Sequence, residues 1–426
     1  MVFVLDSNRK PLDPCHPARA RKLLKAGKAA VFRRYPFTII LKERRVADST
    51  THAHRVKIDP GSKVTGIAVV NEVTGQVVWA AELTHRGQQI RERLLARRQL
   101  RRARRSRKTR YRKARFNNRR RPSGWLPPSL ASRVANIETW VKRLLRLCPV
   151  EAISMELVRF DTQALQNPEI SGVEYQRGEL YGYEVREYLL EKFGRRCAYC
   201  GKENVPLEIE HIVPRSRGGT DRVSNLTVAC HDCNQEKGNM TAEEYARFKG
   251  TDFSYVIQQA KEPLKDAAAV NATRWALFGR LQTLGLPVEV GTGGRTKFNR
   301  ARLGLPKTYW LDAACVGAST PERLVVSGVR SLAITATGHG NRQMARPDRY
   351  GFPGGHRQRQ KRFFGFQTGD MVRAVVTTGK KVGTYVGRVA VRASGSFNIQ
   401  TTRGTIQGLH YRFFTPLHCA DGYQYA

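Results

Sequence analysis

The chain has 426 residues, enough for two to four domains each burying its own core, and 75 Lys and Arg against 35 Asp and Glu give a formal charge of +40 at pH 7. That excess repels itself unless a polyanion neutralises it, so nucleic acid is the expected partner. The apolar run Val2-Phe3-Val4-Leu5 stops at Asp6, which excludes a signal peptide or membrane span there, and no amphipathic membrane anchor is seen.

Four of the eight cysteines, Cys15, Cys148, Cys315 and Cys419, are scattered, which argues for a reducing, cytoplasmic compartment and against a disulfide framework. Residues 1 to about 50 read as a small α/β unit: a strand VFVL, a turn KPLDP, a basic helix over ARARKLLKAGKAA and a strand FTIIL. Its Lys22, Lys25, Lys28, Arg33 and Arg34 suit either an RNA-facing module or a solvated face. HRVKIDPGSKVTGIAVV follows as a hairpin whose first strand ends in Asp59.

From Arg86 to Arg121 eighteen basic residues are opposed by Glu92 alone. The run is rich in helix formers but polar nearly all round, with a thin apolar stripe from Leu94, Leu95, Leu100 and Ala103. Like charges one turn apart, such as Arg97/Arg101 and Arg98/Arg102, each cost roughly a few tenths of a kcal/mol. Phosphates reverse that sign through counterion release and bidentate guanidinium bonding. Arg97, Arg98, Arg101, Arg102, Arg104, Arg105, Arg107, Lys108 and Arg110 are therefore expected to contact nucleic acid, the alternative being a solvated arm.

SLASRVANIETWVKRLLRL is an amphipathic helix with Leu130, Val134, Ile137, Val141 and Leu144 on one face, and the strand VEAISMEL delivers Glu156 at its end. YGYEVREYLLEKF reads as a helix feeding the stretch Cys197 to Asn239. There two Cys-x-x-Cys pairs, Cys197/Cys200 and Cys230/Cys233, offer four thiolates for a structural zinc ion. Between them LEIEHIV carries Glu210-His211, Asn225 opens the next apolar run, and Asn234 follows the last cysteine. This ordered set resembles the HNH, or ββα-metal, endonuclease motif. The resemblance implies His211 as general base, Glu210 and Asn234 as ligands of a catalytic magnesium ion, and Asn225 as the residue that holds the base's loop. For the cysteines alone, a purely structural zinc site is the plainer alternative.

Helices follow over TAEEYARF and NATRWALFGRLQTLG, then a strand PVEVGTG, and KTYWLDAACVGA places Asp312 on the first turn of a helix. An RNase H-like sheet brings positions such as Asp59, Glu156 and Asp312 to one edge, where three carboxylates can hold two magnesium ions about 4 Å apart. Each acid alone reads more readily as a surface carboxylate. The last hundred residues carry the basic run HRQRQKR and alternating strands DMVRAVVTT, GTYVGRVAVR, SFNIQTTRG and LHYRFF between glycine turns, a small β-barrel-like unit.

Taken together, KIDPGSKVTGIAVV, HRGQQIRERL, RKTRYRKARF, ISMELVRFD, the HNH stretch, LDAACVG and KRFFGFQTGDMVRA, in that order, resemble the IscB family. These are transposon-encoded RNA-guided nucleases related to the type II CRISPR effectors. The resemblance implies a multidomain α/β fold. Residues 1–54 form an N-terminal unit, and residues 55–85, 124–193 and 249–320 form a split, RNase H-like RuvC domain. An Arg-rich bridge helix spans 86–123, an inserted HNH domain with its zinc site spans 194–248, and a β-rich domain at 321–426 meets the guide RNA and the motif beside the target. Asp59, Glu156 and Asp312 become RuvC magnesium ligands. HNH cuts the guide-paired strand and RuvC the displaced one. The implied partners are a guide (omega) RNA and target double-stranded DNA, with the protein monomeric in the prokaryotic cytosol. Arg342, Arg346 and Arg349 are candidates for reading the adjacent motif only because Arg-to-guanine is the commonest specific pairing, and for each of them alone a solvated surface position is the plainer reading.

Two departures stand out. The family's Pro-Leu-Met-Pro is here Pro11-Leu12-Asp13-Pro14, which predicts a lost apolar contact, and Tyr309 stands where the CRISPR relatives place a His. A phenol with a reference pKa near ~10 is a poor base at neutral pH. The competing functions are an unguided HNH endonuclease of homing or restriction type, which needs neither the basic helix nor a second acid site, and a non-catalytic RNA-binding regulator, against which the intact acids speak.

Overall fold

The computed structural model describes residues 1–107, 124–157, 181–261, 265–338, 344–350, 352–357 and 359–426. Lys108, Arg110 and Arg342 lie outside the described residues. The chain divides into two units, one of residues 1–56, 63–151 and 325–426, the other of residues 57–62 and 152–324.

In the first unit, β1 (Val2–Leu5) is buried throughout and lies between β2 (Pro11–Cys15), antiparallel, and β4 (Thr38–Leu41), parallel, with β3 (Ala29–Arg33) at the edge. Helix α1 (Pro17–Lys25) starts with proline at its first position and His16 as cap. It ends at Lys25, short of the Ala30 that the sequence predicts, because Gly27 at φ +70° takes a left-handed turn into β3. Where the sequence predicts a lost apolar contact, the Asp13 carboxylate accepts the His52 backbone N–H at 3.0 Å and meets its ring Nδ1.

Next come β5 (His54–Asp59), β6 (Val64–Asn71) and β7 (Val77–Thr84), in that order side by side. β6 and β7 form an antiparallel hairpin, its turn closed by the Asn71 side chain accepting the Val73 and Thr74 N–H groups. Helix α2 (Gly87–Ser106) leaves β7, and α3 (Pro128–Leu145) follows the undescribed residues. α3 buries Val134, Ile137, Val141 and Leu144, as the periodicity predicts, and also Trp140, which stacks on Trp79 of β7 at 5.8 Å. Leu130 is half-buried.

The second unit holds the end of β5, Lys57–Asp59, and most of its neighbour β8 (Val150–Glu156). Helix α4 (Tyr181–Lys192) leads into the cysteine stretch. β9 (Leu207–His211) and β10 (Leu226–Cys230) pair antiparallel, His211 opposite Leu226, and α5 (His231–Lys237) follows at once, giving a ββα unit. Tyr199, Tyr245 and Phe253 pack edge-on and stacked in its core. A capping box of Thr241 and Glu244 starts α6 (Ala242–Lys249), and α7 (Ser254–Lys261) and α8 (Lys265–Gln282) follow. β11 (Val288–Gly291) runs parallel to β8 with Gly291 opposite Glu156, before α9 (Gly293–Arg302) and α10 (Tyr309–Ala314).

The chain then returns to the first unit, where β12 (Leu332–Ala336) pairs parallel with β7. A five-stranded antiparallel sheet is built from β13 (Met371–Val376), β14 (Gly383–Ala390), β15 (Ser396–Thr401), β16 (Gly404–His410) and β17 (Phe414–His418), in the order β16-β15-β14-β13-β17. Val372, Ala374, Phe397, Ile399 and Phe414 fill its core. The last strand, β18 (Tyr423–Tyr425), pairs with β12. Among the described residues, no helix is long and apolar enough to cross a membrane.

Candidate active sites

The four cysteine sulfurs lie within 4.8 Å of one another, Cys200 and Cys230 at 3.7 Å. A tetrahedral zinc ion with Zn–S bonds of about 2.3 Å needs edges of about 3.8 Å, so the set fits zinc. Among the described residues it is the one group of three or more Cys, His, Asp or Glu gathered this closely. Burial pushes the Cys200 and Cys233 thiols up, an effect a bound divalent cation reverses.

β9 presents His211 at its end, with Nε2 2.8 Å from Asp221 Oδ1. A carboxylate accepts only, so the neutral ring carries its hydrogen on Nε2 and keeps the basic lone pair on Nδ1. The Asn225 side chain accepts the Val213 N–H at 3.0 Å and donates to the Val213 and Thr220 carbonyls at 2.9 Å each, clamping the loop after His211. That loop closes so tightly that a Cβ on Gly219 would overlap the Val213 carbonyl.

Glu210 is buried, 2.5 Å from Lys237 Nζ, and accepts the Tyr199 hydroxyl at 2.7 Å. Burial pushes its carboxyl above the ordinary range while Lys237 and Tyr199 pull the other way. Asn234 donates instead to Glu208, at 2.6 Å, and His231 Nδ1 lies 3.0 Å from the same carboxylate. The two residues that the resemblance implies as ligands, Glu210 and Asn234, thus each bond to a different partner. Glu208 and Glu210, two residues apart, share one face of β9, and Asn234 and Lys237, one helical turn apart on α5, each take a different acid. The spacing of Lys237 from Asn234 is visible in the sequence once α5 is assigned; nothing in the sequence singles out Asp221 or Glu208.

Asp59, Glu156 and Asp312 line one pocket of about 450 Å³, at the ends of β5 and β8 and on α10. Burial pushes the Asp59 carboxyl well above the ordinary range, and the neighbouring Glu156 and Asp312 push it further. Asp312 is raised by burial against the pull of Arg300, whose guanidinium donates to it. Arg274 lies 3.4 Å from Glu156 and from the Pro60 carbonyl. Divalent cations relieve the burial and the neighbouring negative charge that raise the Asp59 carboxyl, so the donor set fits magnesium. The three are not gathered to single-ion spacing, and two of them are paired with arginines. Arg195, Lys297 and Lys307 join Arg300 as the basic residues of the lining, and burial lowers the Lys307 pKa. Tyr309 is exposed at the head of α10, one turn before Asp312. Sequence patterns gave no sign of Arg274 or Arg300.

In the first unit, every residue of α2 from Arg91 to Arg102 is exposed, including Leu94, Leu95 and Leu100. Among the described residues, Arg97, Arg98, Arg101, Arg102, Arg104 and Arg105 have no acidic partner. Arg107 donates to the Arg349 carbonyl at 2.9 Å. Arg346 and Arg349 are exposed.

Residues 197–248 match the family described as HNH endonuclease, and residues 2–178 match the family described as RRXRR protein. The latter includes Arg101-Arg102-Ala103-Arg104-Arg105 of α2. The ββα unit around His211 is an HNH endonuclease domain, and the class it defines is a DNA endonuclease. Two of the similar solved structures carry the name Cas9. One is Streptococcus thermophilus Cas9 in complex with the AGAA PAM, at 15% identity over 62% of this chain and 32% of that chain, with a TM-score of 0.24. The other is the Type II-C Cas9 enzyme from Actinomyces naeslundii, at 17% identity over 47% and 29%, with a TM-score of 0.18. The chain spans about a third of the length of these structures, and at such TM-scores the superposition carries no weight about function. No curated protein matches the sequence.

Proposed function

We propose that the chain is an RNA-guided double-stranded DNA endonuclease of the IscB family, with HNH cutting the guide-paired strand and RuvC the displaced strand. The observation that carries this is the presence, in one chain, of an HNH domain and a second pocket lined by three acids, the buried Glu156 and the half-buried Asp59 and Asp312. An unguided HNH nuclease has no use for the second pocket. The bare arginines of α2 supply the phosphate-binding surface that a guide RNA or heteroduplex requires.

At the HNH centre, His211 Nδ1 takes a proton from water as the water oxygen bonds to phosphorus and the P–O3′ bond breaks. Asp221 keeps the ring in the tautomer that makes this possible, and Asn225 holds the loop in place. Asn234 and the acids of β9, Glu210 and Glu208, would hold magnesium there; Asp59, Glu156 and Asp312 would hold it in the pocket; Cys197, Cys200, Cys230 and Cys233 would hold zinc. Magnesium supplies charge stabilisation of the pentacoordinate phosphate when bound. With Tyr309 in place of a His, no side chain of α10 serves as base for the second cut.

The test is to purify the protein with its RNA, sequence that RNA, and replace its variable end. Cleavage that follows the new sequence supports guidance. Cleavage that persists at an unchanged site, or without RNA, points to an unguided HNH enzyme.

A further inference from the structure

Three carboxylates and four basic side chains, Arg195, Lys297, Arg300 and Lys307, line the acid pocket, and Arg274 adds a fifth base through Glu156. Bases outnumber acids, so the pocket is cationic even before divalent ions bind. A site built only to attract metal would not carry this surplus. It suits an anion instead, of the kind a nuclease must hold: a backbone phosphate.

The two bases paired with acids differ in their freedom. Arg274 is locked, its side chain 4% exposed and bonded to the Pro60 carbonyl as well as to Glu156. Arg300 sits in the last turn of α9 with its side chain 15% exposed at the pocket wall. Its root is fixed by its neighbour: the Asn299 amide donates to the Cys315 and Gly317 carbonyls at 2.9 Å each, tying α9 to the end of α10. The backbone of Arg300 is thus held beside Asp312, while its side chain is more exposed than that of Arg274. Asp312 is also a carboxylate that divalent ions would claim, and a guanidinium displaced from it can pair with a strand phosphate instead.

We infer that Arg300 changes partner during the reaction: it holds Asp312 when no divalent ion is bound, and a phosphate of the strand to be cut once metal takes that carboxylate. Arg300 thus opposes metal binding and promotes cleavage. The inference rests on the pocket being a divalent-ion nuclease centre.

Two measurements on Arg300→Gln test it. Manganese binding to the zinc-loaded, full-length chain is followed by the EPR signal of free Mn2+. Single-turnover cutting of each labelled strand is followed in the ribonucleoprotein at saturating metal. Arg300→Gln should bind Mn2+ at the pocket about tenfold tighter, since a charged hydrogen bond no longer competes. It should cut the displaced strand about tenfold or more slowly and leave the guide-paired strand unchanged. Arg300→Lys should lie between wild type and Gln in both. A merely structural role would weaken binding and cutting together, so unchanged or weaker Mn2+ affinity, or unchanged cutting, overturns the exchange. Asp312→Asn separates this from the premise. If the wild type has no Mn2+ site sensitive to Asp312→Asn, the nuclease-centre reading fails; an Asp312-sensitive site indifferent to Arg300→Gln sinks the exchange alone.

Discussion

Replacing Arg97, Arg98, Arg101 and Arg102 with Gln should cut RNA affinity without disturbing the fold. All four are exposed on α2 and, among the described residues, lack acidic partners, so no internal ion pair is lost. Gln keeps nearly the helix propensity of Arg, and removing the like-charge pairs at i,i+4 slightly favours the helix. The loss is therefore in counterion release. Each phosphate contact contributes roughly 0.7 to 0.9 to the slope of log K against log salt. Four contacts lower the slope by up to about 2.8 to 3.6 and weaken binding at about 0.1 M salt by up to on the order of a thousandfold. The assay is filter binding or fluorescence anisotropy with the native RNA from 50 mM to 500 mM salt, checked by circular dichroism for retained helix. Guided cleavage should fall in parallel at subsaturating protein. A slope unchanged in the quadruple variant would show that this face of α2 does not meet nucleic acid, whatever its charge.

Cys197→Ser or Cys233→Ser should unfold the HNH domain, since a structural zinc contributes on the order of 10 kcal/mol of apparent folding energy in small modules. Metal analysis should find about one zinc per wild-type chain, and a zinc-free protein that still cuts the guide-paired strand would refute the site. Lys237→Met strands the buried Glu210 carboxylate and should destabilise the domain by about 3 to 5 kcal/mol. Adding Glu210→Gln should recover most of that loss in urea melts, and no recovery would mean that the pair is not what Lys237 supports. Asp221→Asn should leave melting unchanged yet slow guide-paired-strand cutting by about ten- to a hundredfold, through loss of the fixed His211 tautomer; an unchanged rate would remove Asp221 from the mechanism.

Much of the HNH centre was legible because its chemistry is local in sequence. Cys-x-x-Cys pairs, an acid-His step at a strand end and an Asn after the last cysteine fix residue types at short spacings, and β9, β10 and α5 appear where that pattern puts them. The partners of those residues were not legible. Glu210 meets Lys237 rather than Asn234 because helix phase decides which side chain reaches which acid, and periodicity gives the helix but not its rotation against the strand. The acid pocket illustrates a different limit. Asp59, Glu156 and Asp312 come from three distant segments, so only resemblance could select them, and the arginines that neutralise two of them arrive from α8 and α9 with no local mark. Asp13 shows the same limit: its partner is His52, nearly forty residues away, and no short-range pattern connects the two.

The central claim, that two separate centres each cut one strand, is tested most directly by a strand-labelled cleavage assay of His211→Ala and Asp59→Ala in the RNA-loaded protein. His211→Ala should stop cutting of the guide-paired strand and leave the displaced strand cut; Asp59→Ala should do the reverse. Both should retain RNA binding and wild-type melting. If either single substitution stopped both cuts in a folded, RNA-bound protein, or if neither changed the strand it is assigned, the two-centre account would be contradicted.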